Sequence, residues 1–255
     1  MYTLGIDIGS TTSKCAVLKD GKELVAHSLQ TGGLGTGGPE EALAQLWQTS
    51  GLTRADMACA FVTGYGRKNI GFADDNVTEI TCHAKGAKHL YAPVTTIIDI
   101  GGQDSKVITL DESGKVTGFV MNDKCAAGTG RFLENMAKVL EVDMQTMATI
   151  GLHYKNDLTI SSMCTVFAES EVVSLIAENH SVANIVHGLN KSVAAKTKAL
   201  AASAKDLRAV MMTGGVANNQ GVVKELEKQL RTSVYIPKHP EFCGALGAAL
   251  IAAGK

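Results

Sequence analysis

Proline is scarce in this sequence, with four among 255 residues. Long apolar runs, a surplus of either charge and closely spaced cysteines are missing too. The longest apolar stretch, Cys243 to Ala253, is about half of the ~20 residues that a membrane-spanning helix needs, so no membrane association is expected. The opening residues, Met1-Tyr2-Thr3-Leu4-Gly5-Ile6-Asp7, carry no basic segment and no cleavage pattern. They do not read as a secretory signal, and a reducing, cytoplasmic setting is expected. The 24 Lys and Arg nearly balance the 25 Asp and Glu. That excludes a protein that coats nucleic acid, which needs a basic surplus. The six cysteines, at 15, 59, 82, 125, 164 and 243, include no C-x-x-C pair. In a reducing compartment they imply buried thiols, or ligands gathered in space, rather than a disulfide framework.

What is abundant is glycine, 27 residues, in a chain that is 45% hydrophobic and 19% charged. This is the composition of a globular protein with many tight turns and close backbone approaches. The strongest organising feature is a duplication. Gly5-Ile6-Asp7-Ile8-Gly9-Ser10-Thr11-Thr12-Ser13-Lys14 returns as Ile98-Asp99-Ile100-Gly101-Gly102-Gln103-Asp104-Ser105-Lys106. Each copy sits between apolar runs: Tyr2 to Ile8 and Cys15 to Leu18, then Thr95 to Ile100 and Val107 to Leu110. A turn and a third run follow each time, Leu24 to Ser28 and Val116 to Val120. The pattern predicts strand–turn–strand–turn–strand twice. Helices are predicted after Pro39, over a face of Leu133, Met136, Ala137 and Leu140, and near 164–179, 182–202 and 219–230. The expected division is 1–92 and 93–242, with the apolar end, 243–255, packing back on the first part.

A strand-end carboxylate followed by glycines and hydroxyls in a hairpin turn suits phosphate. Glycines let the backbone approach an anion, and successive N–H groups cradle its oxygens. In the first copy Gly9, Ser10, Thr11, Thr12 and Ser13 supply that turn, and Lys14 adds charge. Asp7 and Asp99 suit magnesium, which prefers one or two carboxylates with waters and phosphates. The three Gly-Lys pairs lack a following Ser or Thr, so this is not a P-loop, and Gly128-Thr129-Gly130 does not extend to G-x-G-x-x-G. A third glycine site, Met211-Met212-Thr213-Gly214-Gly215-Val216-Ala217-Asn218-Asn219, reads as a strand running through a double glycine into a helix. Together the two hairpins and this site resemble the actin/Hsp70/sugar-kinase ATPase superfamily along the whole chain. The resemblance implies an α/β protein of two ribonuclease-H-like domains with ATP in the interdomain cleft, and with Gly214 and Gly215 against the adenosine.

A narrower resemblance rests on Asn122-Asp123-Lys124-Cys125-Ala126-Ala127-Gly128-Thr129-Gly130-Arg131-Phe132 and on Ser161-Ser162-Met163-Cys164-Thr165-Val166-Phe167-Ala168-Glu169-Ser170-Glu171. Thr63-Gly64-Tyr65-Gly66-Arg67 and Cys82-His83-Ala84-Lys85-Gly86-Ala87 fit the same pattern. These resemble the BadF/BadG/BcrA/BcrD ATPases, the activators of 2-hydroxyacyl-CoA dehydratases and related subunits of benzoyl-CoA reductases. Cys125 and Cys164 each precede a predicted helix, and a helix N-terminus favours a thiolate and an anionic cluster. The competing reading is that both are plain core thiols, the commonest fate of a free cysteine. An iron–sulfur cluster usually takes four thiolates, and a two-fold dimer doubles the two available. The resemblance implies one 4Fe–4S cluster per homodimer, held by Cys125 and Cys164 of each subunit.

The expected function is therefore an ATPase that passes a low-potential electron to a dehydratase or reductase, with ferredoxin or flavodoxin as donor. Asp7 and Asp99 would organise Mg2+. Gly9 to Lys14, Gly101, Gly102 and Gly128 would surround the phosphates of ATP or ADP. Gln103 or Asp104 would position the attacking water. A small-molecule kinase and an actin-type assembly protein share the nucleotide grip but have no use for the two cysteines. The remaining four cysteines are expected to be structural, and Glu169 and Glu171 to be favourable charges in the first turns of a helix.

Overall fold

The computed structural model describes residues 1–68, 71, 73–161, 164–204 and 206–255. The chain divides into two compact units: Met1–Ile97 with Leu110–Gly118 and Pro237–Lys255, and Ile98–Thr109 with Phe119–Ile236.

The first repeat folds as β1 (Tyr2–Ile8), β2 (Thr12–Lys19), β3 (Glu23–Thr31), α1 (Gly38–Ser50), β4 (Met57–Gly64), β5 (Asp75–Asn76) and α2 (Glu79–Leu90). Its sheet runs β3-β2-β1-β4-β5. β1 pairs antiparallel with β2 and parallel with β4, which leaves its Asp7 end beside both. α1 starts with Pro39 in its first turn and ends at Gly51 (φ 71°), the left-handed residue that closes many helices. Leu43 and Leu46 of α1 are buried on Leu4, Ile6, Val17 and Val62 of the sheet. Each such fully buried aliphatic side chain contributes about 1.5–3 kcal/mol.

The second repeat folds as β6 (Thr96–Ile100), β7 (Ser105–Leu110), β8 (Val116–Asn122), α3 (Gly130–Val139), α4 (Met144–Thr149), α5 (Thr165–Ala177), α6 (Val182–Ala201), β9 (Val210–Thr213), α7 (Gln220–Leu230) and β10 (Val234–Tyr235). Its sheet order, β10-β9-β6-β7-β8, repeats that of the first sheet. The sequence duplication is thus a duplication of fold. The predicted face of α3 is buried, as is the Ile185, Leu189 and Val193 stripe of α6. Both stand in one core with Ile98, Ile100 and Val107 of the sheet.

The last helix, α8 (Cys243–Ala252), packs on the first sheet. The Thr3 hydroxyl donates to Ala249 O at 3.0 Å. Gly5 lets this helix approach, because a Cβ there would overlap the Ala245 carbonyl. β4, α2 and α4 are not among the sequence expectations. β4 is a continuous apolar run with no alternation, and α2 meets α8 through glycines, Gly86 against the Cys243 carbonyl and Gly247 against the Cys82 carbonyl, rather than through a regular apolar stripe. Among the described residues, no helix is long and apolar enough to cross a membrane.

Candidate functional site

Asp7 lies at the end of β1, opposite Lys14 in the antiparallel register. Lys14 Nζ is 3.5 Å from Asp7 Oδ2, and the carboxylate is 4% exposed. The other oxygen, Oδ1, is buried and accepts no hydrogen bond from the described residues. A buried carboxylate oxygen is left in that state at a cost unless a cation or water meets it. The turn is closed by Gly9 N–H donating to Thr12 O at 3.0 Å. The glycine-rich segment after β3 folds back over this turn. Gly32 N–H donates to Thr11 O at 2.8 Å, and Leu34 N–H to Gly9 O at 3.1 Å. Ser13 is fully buried and its hydroxyl donates to Gly32 O at 2.8 Å, so it fastens that strap. Ser10, Thr11 and Thr12 remain partly exposed along the turn.

The second hairpin repeats the ion pair. Lys106 Nζ is 3.3 Å from Asp99 Oδ2 and also pairs with Asp104. Lys106 is 1% exposed, a depth at which an ammonium needs such partners. Asp99 Oδ1 accepts the Thr213 hydroxyl at 2.7 Å, which joins β6 to the end of β9. Gly101 N–H closes the turn on Asp104 O at 2.9 Å. Of the two residues expected to position a water, Asp104 is buried against Lys106 and Gln103 is exposed. β9 then enters Gly214 at φ 83°, where any Cβ would overlap the Ile100 carbonyl. Gly215 opens a short turn, and Asn219 caps α7 by accepting Val222 N–H at 3.0 Å.

The cysteine-bearing loop after β8 is tied to this second turn. Thr129 is fully buried, and its hydroxyl sits 2.6 Å from Ala126 O and 2.9 Å from Gly102 O. Gly130 N–H donates to Gly101 O at 2.9 Å and Arg131 N–H to Gly102 O at 2.8 Å. The first turn of α3 therefore holds the Gly101–Gly102 backbone directly. Cys125 is exposed and precedes α3 as expected, with the turn Ala126 to Thr129 between them, so its thiol does not sit on the helix end itself. Its thiol is nonetheless pushed below the ordinary value, chiefly by the Ala127 N–H and also by the Lys196 ammonium, 3.4 Å from Sγ. Gly128, at φ 82°, lies in the same turn.

Cys164 is the N-cap residue of α5, and it too is exposed. Ser162 and Met163 of its motif lie outside the described residues. Beside it, Val166 and Phe167 are 68% and 67% exposed, and Val173 and Ile176 continue the exposed apolar surface along α5. Glu171 accepts the Ser161 N–H at 3.0 Å and thereby anchors the segment before the helix, while Glu169 is exposed. The other cysteines differ sharply. Cys15, Cys82 and Cys243 are buried, and burial pushes the thiols of Cys15 and Cys82 up to about 12. Cys59 is half-buried and also raised.

Four residues in these networks carry no role in the sequence reading: Lys106, Thr129, Lys196 and Thr213. Lys106 was signalled by the duplication, since it stands to Asp99 as Lys14 does to Asp7. Lys196 lies inside a long helix, and nothing in its sequence neighbours marks it.

Two α/β sheets of like order, each opening on an Asp–Lys hairpin turn, define a two-domain ATPase fold of the actin and sugar-kinase kind. The chain matches the BadF/BadG/BcrA/BcrD ATPase family over residues 4–252 and belongs to it. It is 50% identical over 252 residues to the activator of lactoyl-CoA dehydratase of Anaerotignum propionicum, covering 99% of this chain and 97% of that one. It is 48% identical over 253 residues to the (R)-2-hydroxyglutaryl-CoA dehydratase activating ATPase of Acidaminococcus fermentans, again with 99% and 97% covered. The solved activator of the 2-hydroxyisocaproyl-CoA dehydratase from Clostridium difficile, with bound ADPNP, superimposes with a TM-score of 0.97 at 47% identity. That match covers 100% of this chain and 95% of the other.

Proposed function

We propose that this protein is a cytoplasmic ATPase that activates a 2-hydroxyacyl-CoA dehydratase by delivering an electron from a 4Fe–4S cluster. The observation that carries the reading is the bonded path from a phosphate-type turn to an exposed cysteine. Gly102 O and Ala126 O share the Thr129 hydroxyl, and Ala126 follows Cys125 directly. The exposed pair Cys125 and Cys164, against the buried or half-buried thiols of the others, fits a soft thiolate ligand set. The apolar residues exposed on α5 beside Cys164 suit a homodimer in which each subunit contributes two of four thiolates. Such a cluster supplies one-electron transfer at low potential.

In this reading, the backbone N–H groups of each hairpin turn are suited to phosphate oxygens of ATP, with Lys14 adding charge to the first. Asp7 holds the magnesium, for which its unsatisfied oxygen is fitted, and Asp99 holds its place through Thr213 and Lys106. Gln103 orients the attacking water, since Asp104 is occupied by Lys106. Gly214 and Gly215 lie against the adenosine. Phosphate on Gly101 and Gly102 pulls the first turn of α3 and, through Thr129, the Cys125 loop. A reduced ferredoxin or flavodoxin is the donor, and the dehydratase is the acceptor. A small-molecule kinase would leave the two exposed thiols without work.

Purification without oxygen, with iron and acid-labile sulfide measured per dimer, tests the ligand set. About four irons per dimer are expected in the wild type. Cys125→Ser and Cys164→Ser should each lose them. A colourless wild-type dimer after anaerobic reconstitution would refute the cluster.

A further inference from the structure

We propose that Lys196 sets the reduction potential of the bound cluster by holding a positive charge against the Cys125 sulfur. The proposal rests on the reading of Cys125 as a cluster ligand. Three features of the geometry carry it. Lys196 Nζ lies 3.4 Å from Cys125 Sγ, within contact of the one atom that would bind iron. The lysine projects from α6, whose Val193, Ala194 and Thr197 are buried on either side of it, so its backbone is fixed by the core. Its stem lies over Gly128, where a Cβ would come 3.0 Å from Cδ, so the absence of a side chain at 128 leaves the channel that the lysine fills.

A long side chain that lays its apolar stem on the protein and aims its ammonium at a sulfur is placed for charge rather than for packing. Reduction of the cluster adds one electron and no proton here, so the site gains one negative charge. A fixed cation beside a ligand sulfur stabilises that form more than the oxidised one, and hydrogen bonds to the sulfurs act in the same direction. The two-fold dimer would place one such lysine in each subunit. Lys196 also touches the loop that Thr129 ties to Gly102, so movement of this loop changes the distance from charge to sulfur.

The test compares the wild type, Lys196→Met and Lys196→Arg, each purified without oxygen as the loaded dimer. Iron per dimer is measured, and the cluster is titrated with dithionite at one fixed pH. Lys196→Met, which keeps the stem, is expected to lower the ratio of reduced to oxidised cluster at a given potential about tenfold, a shift of ~59 mV to more negative values for a one-electron couple. Lys196→Arg should keep the wild-type midpoint. Loss of iron from Lys196→Met with retention in Lys196→Arg overturns the proposal, because the lysine then holds the cluster in place rather than setting its potential. A wild-type midpoint in an iron-loaded Lys196→Met protein overturns it, as does equal loss of iron from both variants. A wild type that holds no iron defeats the cluster reading itself and this assignment with it.

Discussion

Replacing Thr129 by valine removes one hydroxyl at the joint between the phosphate turn and the Cys125 loop, with little change of shape. The structure sets the size of the effect. The hydroxyl has a single proton to share between Ala126 O at 2.6 Å and Gly102 O at 2.9 Å. Neither carbonyl is orphaned by the change, because Ala126 O still accepts Thr129 N–H at 3.0 Å and Gly102 O still accepts Arg131 N–H at 2.8 Å. The loss is therefore that of one ordinary hydrogen bond, about 0.5–1.5 kcal/mol, and not the larger penalty of a buried unsatisfied group. For a chain of this size that lowers Tm by roughly 2–4 °C per kcal/mol. The functional effect should exceed the structural one. Thr129→Val is expected to hydrolyse ATP at near the wild-type rate while delivering fewer electrons per ATP to an acceptor, and Thr129→Ser should restore the ratio. Calorimetry and a paired assay of phosphate release and acceptor reduction read both quantities. A valine variant that transfers as many electrons per ATP as the wild type would refute the coupling path.

Other outcomes follow from the same geometry. Gly214→Ala forces a left-handed φ of 83° on alanine and drives its Cβ into the Ile100 carbonyl, so a loss of about 2–5 kcal/mol is expected in a urea titration. Asp7→Asn removes the charge whose Oδ1 is unsatisfied, and calorimetric titration should show at least about a tenfold weaker affinity for ATP with magnesium, with a much smaller difference in EDTA. The folded state holds the Cys15 thiol at about 12 against an ordinary 9.0, which favours the protonated form. That contribution is complete below pH 9.0 and is lost as pH rises towards about 12, so Tm should fall across this window less steeply in Cys15→Ala. After treatment with an iron chelator and a reductant, Cys125 should be the first thiol alkylated and Cys15 and Cys82 the last, as read by mass spectrometry.

The duplicated hairpins were legible because both signals are local: an alternating apolar run ends in a carboxylate and a glycine turn, twice. The same holds for α3 and α6, whose apolar stripes survive into the core. What was not legible depends on partners far apart in the chain. α2 packs on α8, more than 150 residues away, and the contact of Cys243 Sγ with His83 O joins residues 160 apart in the chain. Cys125 precedes α3 as read, but the Ala126 to Thr129 turn separates the two, and its thiol is lowered by the Ala127 N–H and Lys196 rather than by the helix end. No pattern in sequence brings Lys196 to Cys125 or Thr213 to Asp99, since those pairs are 71 and 114 residues apart. The expected roles of Ser13 and Asp104 illustrate the same limit. Their types suit phosphate and water, but the fold turns Ser13 to Gly32 and Asp104 to Lys106.

The account turns on whether ATP hydrolysis by this protein delivers an electron that switches on a dehydratase. The direct measurement mixes the reduced, iron-loaded dimer with an oxidised, inactive 2-hydroxyacyl-CoA dehydratase and follows dehydration of its substrate with and without ATP and magnesium. Activation that requires ATP, fails with Cys125→Ser and fails with the non-hydrolysable analogue ADPNP is the predicted result. ATP hydrolysis that leaves every dehydratase tested inactive, or activation that proceeds equally without ATP, would contradict it.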